Sequence, residues 1–188
     1  MDIEKIEEKW STYNNLLSKL EDENINKMLE ELSERIILCP GSPRTDQYGC
    51  EPGGLISHAL EVTDAMRKIS KAVGSDIPTA SIVKIGLLHE IGKVGDVTED
   101  YFVNQDSSWH REKLGQHYKY NENLEKMTVS HRTLWLLQNY NIKLNRAEWE
   151  AIATAQGNHL EENKFYGYTK SKLTKLLQSA KSLIINEG

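Results

Sequence analysis

Basic residues are in short supply: 23 lysines and arginines stand against 28 aspartates and glutamates, a formal net charge of −5. Displacing counterions from duplex nucleic acid needs many cations on one face, so duplex binding is not expected, while a small anionic ligand stays compatible with the balance. Cysteine is scarcer still. Cys39 and Cys50 stand alone, in neither a CxxC pair nor a four-ligand zinc pattern, and read as two reduced thiols of a cytoplasmic protein rather than a bridge. Long apolar runs are absent, and the acidic start MDIEKIEEKW lacks the apolar stretch of a leader. A chain neither secreted nor inserted in a membrane is expected. Strand-like alternation, repeats and low-complexity tracts are also missing, which leaves an all-α class by elimination.

What is present agrees. The 188 residues suffice for one domain with its own core, and 38% hydrophobic with 27% charged residues argues against disorder. The expected architecture is one compact helical bundle over 1–188: N-terminal helices in 1–36, a motif-bearing core in 37–97 and a helical C-terminal part in 98–188. Ile3, Ile6, Trp10, Tyr13, Leu17 and Leu20 recur at helical spacing, as do Met28, Leu29, Leu32 and Ile36 in a second helix that must stop before Pro40. CPGSPRTDQYGCEPGG then carries three of the four prolines and four glycines. A loop this long inside a compact domain points to function.

A third helix is expected from about Leu55, with Leu55, Ala59, Val62, Met66, Ile69 and Val73 as its buried stripe and His58 at the stripe's edge. Gly74 suits its C-terminal cap. Pro78 opens a fourth helix, whose Ile82, Ile85 and Leu88 lead to His89, with Gly92 and Gly95 breaking it. Between Gly95 and Val129 the pattern weakens to one short helix around Trp109–Gln116. Further helices are read on Leu134, Leu137 and Tyr140, after Asn145 with Glu148 as a capping box, and on Leu173, Leu176, Leu177, Ala180 and Ile184. Trp109, Trp135 and Trp149 are expected to pack the core.

Chemistry concentrates in GGLISHALEV and GLLHEIGKVGD. Taken singly, His58 or His89 reads as a satisfied core histidine. Together they differ, because a histidine followed by a carboxylate at a helix end sets a nitrogen beside an oxygen ligand, and His58 could add a second nitrogen from the neighbouring helix.

These two stretches resemble the HD superfamily of metal-dependent phosphohydrolases, in phrasing closest to small phage-encoded and bacterial HD-domain proteins. The likeness is strong over 37–97 and continues less specifically in WHREKLGQHYKYN and EWEAIATAQGNHLEENKFY. It implies an HD-like all-α fold and a divalent metal ion (Mn, Ni, Zn, Fe or Mg) held by His58, His89 and Glu90. The metal would lower the pKa of a bound water and polarise a phosphoryl oxygen, with Glu90 and Lys93 in the catalytic site. The implied substrate is a phosphorylated small molecule, nucleotide or nucleic-acid phosphate, with Arg44, Lys93, Arg111 and Lys113 as binding candidates and His110 and His117 as lesser ones. Read without the resemblance, Lys93 is a solvated lysine at a helix C-terminus.

Two departures accompany the likeness. Glu90 stands where the family has aspartate, one methylene too long for an unadjusted metal bond. The family also takes a late aspartate from the last helix, yet 163–186 holds no Asp or Glu, and LTKLLQSAKSL offers Ser, Ala or Lys at that place. Glu161 or Glu162 could substitute, and His159 could add a nitrogen. Weak metal binding is therefore expected; the phosphohydrolase is the leading reading, with a degenerate HD domain that binds a phosphorylated ligand or protein partner without turnover as the alternative, and a helical structural or interaction protein whose histidines are only core residues as the third. The lysines at 164, 170, 172, 175 and 181 read as a solvated helix face.

Overall fold

A computed structural model describes residues 2–157, 160–167 and 170–185. The protein is mostly helical, as expected. Its helices are α1 (Ile3–Ser18), α2 (Glu23–Leu38), α3 (Gly54–Ala72), α4 (Thr79–Leu88), α5 (Ser108–Leu114), α6 (Val129–Asn139), α7 (Arg146–Ala153), α8 (Glu161–Lys164) and α9 (Lys172–Ile185). A 3-10 turn, Ile91–Val94, follows α4 directly. Two short antiparallel strands, β1 (Phe102–Asn104) and β2 (Tyr118–Tyr120), pair Phe102 with Tyr120 and flank α5.

Sequence chemistry accounts for most boundaries. Asp22 caps α2 by accepting from the Asn24 and Ile25 N–H groups. Asn145 and Glu148 form the full reciprocal capping box on α7. The apolar faces of the helices meet in one core that includes Leu17, Ile36, Ile56, Met66, Leu88 and Leu177. Tyr13 is buried there and donates to the Leu87 carbonyl at 3.0 Å, tying α1 to the end of α4.

Contacts among several elements set the stage for the motif residues. Helix α3 packs on α4 and on α9, α9 also packs on α7, and the 3-10 turn packs on α6. The long loop between α2 and α3 folds back on itself, the Gly41 N–H donating to the Gly49 carbonyl at 2.7 Å. A Cβ on Gly54 would lie 1.9 Å from that carbonyl oxygen, so glycine is required where the loop enters α3. A Cβ on Gly92 would lie 2.6 Å from the Thr133 nitrogen, which is how closely the turn seats on α6.

Four expectations are corrected. The segment expected to lack strands carries β1 and β2, each only three residues long, too short to show alternation in the sequence. Val73 lies exposed, because it is the C-cap residue just past the end of α3. Trp109, Trp135 and Trp149 are 57%, 40% and 45% exposed instead of packing the core. Lys181, counted on a solvated face, is buried at 8% exposure, because α9 turns that residue toward α3 and α7.

Candidate metal and anion site

His58, on the first turns of α3, and His89, which caps α4, are both buried, and their ring centroids are 6.0 Å apart. Glu90 follows at φ −121°, where the backbone leaves α4 and turns its carboxylate inward. Ligand atoms of His58, His89 and Glu90 lie within 4.8 Å of one another, so the expected convergence is observed and the three form a group that could hold a metal ion. By spacing they fit one.

The imidazoles carry free valences. The Gly86 carbonyl lies 3.0 Å from His89 Nδ1, which assigns the proton to Nδ1 and leaves Nε2 as a lone pair. That Nε2 and both ring nitrogens of His58 are buried without a hydrogen-bond partner among the described residues. Burial, opposed by Glu90, lowers the His58 pKa to about 4. Burial and then Lys181 lower that of His89 to about 3. Both rings are neutral at pH 7.

Glu90 is differently placed. Lys93 Nζ lies 2.6 Å from its Oε2 and Lys181 Nζ 2.7 Å from its Oε1, with all three side chains buried. Burial pushes the Glu90 carboxyl up, but the Lys181 and Lys93 ammoniums outweigh it and hold it well below the usual carboxylate range. Lys93, far from being a solvated cap, also donates to the Gly41 carbonyl and the Tyr48 hydroxyl, each at 2.6 Å. Burial pulls its pKa down, and Glu90 followed by Tyr48 more than restores it. Lys181 donates to the Ala155 carbonyl as well, at 2.9 Å. With both rings neutral, one carboxylate faces two ammoniums and one positive charge is left over.

Tyr48 and Lys181 are the two site residues that sequence reasoning missed. Tyr48, from the Gly/Pro-rich loop, stacks on His58 with ring centroids 4.0 Å apart and donates to Glu90 Oε2 at 3.1 Å. Burial and the neighbouring Glu90 push its phenol up to about 12, so it stays protonated. Only the loop's length hinted at it. For Lys181 a weak spacing signal existed, four residues after Leu177 and one after Ala180, both core residues of α9, but the surrounding lysines outweighed it.

The remaining candidates lie apart from this cluster. Arg44 pairs with Asp46 at 2.6 Å, Arg111 donates to the Gln105 carbonyl, and Lys113 is exposed on α5. His110 bonds Ser107, the N-cap of α5, and His117 is exposed. Glu161 pairs with Lys164 on the exposed helix α8, with Glu162 beside it. His159 lies outside the described residues.

Glu90 and Lys93 line a cleft of about 920 Å³ together with Tyr48, Tyr101, Phe102 and Tyr120. Tyr101, Phe102 and Tyr120 form an aromatic group, with Tyr101 centroids 4.9 Å from Phe102 and 5.2 Å from Tyr120. The histidines do not line the cleft; Tyr48, stacked on His58, does. Among the described residues no helix is long and apolar enough to cross a membrane. No family model, curated protein or solved structure matches this chain.

Proposed function

We propose that this chain is a non-hydrolytic, HD-like binding protein that takes a phosphorylated small molecule or nucleotide in the Tyr48–Lys93 cleft. One observation carries the reading: the carboxylate that should draw in a metal ion is already engaged by two ammoniums. A dication brought beside Lys93 and Lys181 would meet a repulsion of about 4 kcal/mol per pair of unit charges at 4 Å and an effective dielectric of 20. An anion is attracted by Lys93, which lines the cleft beside the carboxylates Asp46, Glu61 and Glu90. The surplus positive charge reaches the cleft at Lys93, beside Tyr48, whose ring covers the neutral His58. Tyr101, Phe102 and Tyr120 supply flat apolar surface for a base.

The chemistry assigned to each residue follows from its contacts. Lys93, fixed by three acceptors, supplies charge at the cleft wall; Tyr48 orients Lys93 and covers His58. None of these groups is poised to generate a nucleophile, because the imidazoles are pushed well below neutrality and the carboxylate is held by cations.

A second reading, a divalent-metal phosphohydrolase acting on a nucleotide or nucleic-acid phosphate, is favoured by the unpartnered His58 and His89 nitrogens beside Glu90. It requires Lys181 to withdraw from Glu90. A metal bound there would supply an activated water; His58, His89 and Glu90 would hold it.

Calorimetric titration with inorganic phosphate and a nucleotide panel, run beside a phosphate-release assay with added manganese, separates the two. Binding without release is the expected result. Manganese-dependent release that disappears in His89→Ala establishes the second reading, and neither binding nor release overturns both.

A further inference from the structure

We propose that Lys181 is a built-in cation that takes over from a metal ion the neutralisation of Glu90, so that the charge of this one side chain decides whether the site accepts metal. The exchange is written in the contacts. Lys181 Nζ contacts Glu90 Oε1 at 2.7 Å, the same oxygen that lies 4.0 Å from His89 Nε2. His89 Nε2 is a lone pair by virtue of the Nδ1 bond to Gly86, and it points at no donor among the described residues. His58 offers two further unpartnered nitrogens. Three ligand groups within 4.8 Å of one another are thus assembled, and an ammonium is bonded to the anionic one.

The position of Lys181 makes the substitution economical. It projects from the buried stripe of α9, beside Ala180 and one turn after Leu177, and its second acceptor is the Ala155 backbone carbonyl beyond the end of α7. Helix α9 packs on α3 and α7, and the Lys181 head reaches the ligand group through Glu90 Oε1. An internal cation of fixed stoichiometry needs no metal supply, and it locks the last helix to the turn after α4. Removing the charge while keeping the stem leaves His58, His89 and Glu90 with one ammonium, Lys93, to balance the carboxylate.

This task of Lys181 rests on the same site as the ligand-binding reading but not on what ligand the cleft takes, and the two are separable by experiment: phosphate binding is read by calorimetry, metal binding by cobalt. The full chain and its Lys181→Arg, Lys181→Met and Lys181→Asp variants are freed of metal and titrated with cobalt(II), following its visible absorption and the bound ion by equilibrium dialysis. The native chain and Lys181→Arg should show no stoichiometric ion. Lys181→Met should gain at least about tenfold in affinity and Lys181→Asp about a hundredfold, since each change adds net negative charge to the ligand set. Adding His58→Ala to either gaining variant should abolish both the ion and its absorption. Lys181→Met keeps the stem's volume and is the deciding variant if Lys181→Asp fails to fold by circular dichroism. The proposal is overturned if the native chain binds one ion as tightly as Lys181→Met, or if Lys181→Met and every other folded variant gain nothing.

Discussion

Glu90 and Glu150 are both buried carboxylates, and they are satisfied in opposite ways. Glu150 Oε1 accepts from the Ser171 N–H at 2.6 Å and the Thr174 hydroxyl at 2.9 Å, neutral donors at the start of α9 that join α7 to it. Its neighbour Glu148 lies between the two cases, accepting from Ser81 at 2.7 Å and from its own capping partner Asn145, with the Lys84 ammonium 3.6 Å from its Oε2. Glu90 instead is held by two ammoniums and a phenol, next to two imidazoles with nothing to bond. The contrast separates a carboxylate that staples helices from one that belongs to a charged site lining a cleft.

The comparison breaks most visibly under truncation. Glu90→Ala leaves two buried ammoniums without their carboxylate and should cost about 3–5 kcal/mol, whereas Glu150→Gln, which keeps an acceptor for the same donors, should cost about 1–2 kcal/mol. Urea unfolding of both variants checks the difference, and equal losses would erase the distinction.

Acid should act through the histidines. Their folded pKa values, about 4 for His58 and about 3 for His89, lie below the ordinary 6.5, so between pH 6.5 and 4 the unfolded chain binds protons that the folded one refuses. Stability is therefore full above about pH 6.5 and falls on acidification by about 1.4 kcal/mol per pH unit for each histidine. His58→Gln should lower that slope by one proton. An unchanged slope would mean that the ring is not held neutral. Glu90, with its pKa depressed, adds stability above the unfolded carboxylate range and loses it only as pH falls further.

Glu90→Asp sharpens the point about reach. The shorter arm cannot hold Lys93 and Lys181 at once in their present positions, so a loss of about 1–3 kcal/mol is expected, with no gain of metal or hydrolysis while Lys181 remains. A gain of metal in the single variant would mean that carboxylate length, not Lys181, controls the site. The smallest effect belongs to the surface: Trp149→Ala should shift stability by less than about 1 kcal/mol, since the ring is 45% exposed. A larger thermal shift would place part of that indole among the packed groups.

How far the sequence carried the reading depends on the range of the interaction. Helices written in local periodicity, such as α2 and α7 with their caps, are found where Met28 to Ile36 and Asn145 to Glu148 place them. His58 and His89 were legible because each sits within a local motif at an inward helix position. Lys181 was hidden: its burial depends on Glu90, 91 residues earlier in the chain, and a lysine among four others on a polar tract reads as solvated. The tryptophans failed for the same reason in reverse, because bulk alone says nothing about which face a neighbouring helix covers.

The most direct test of the account is a crystal structure of the native chain grown with excess manganese, with the anomalous signal recorded at the site. The account predicts Lys181 Nζ within hydrogen-bond distance of Glu90 and no anomalous peak between His58 and His89. An ion bridging the two imidazoles, with Lys181 swung away from the carboxylate, would contradict it.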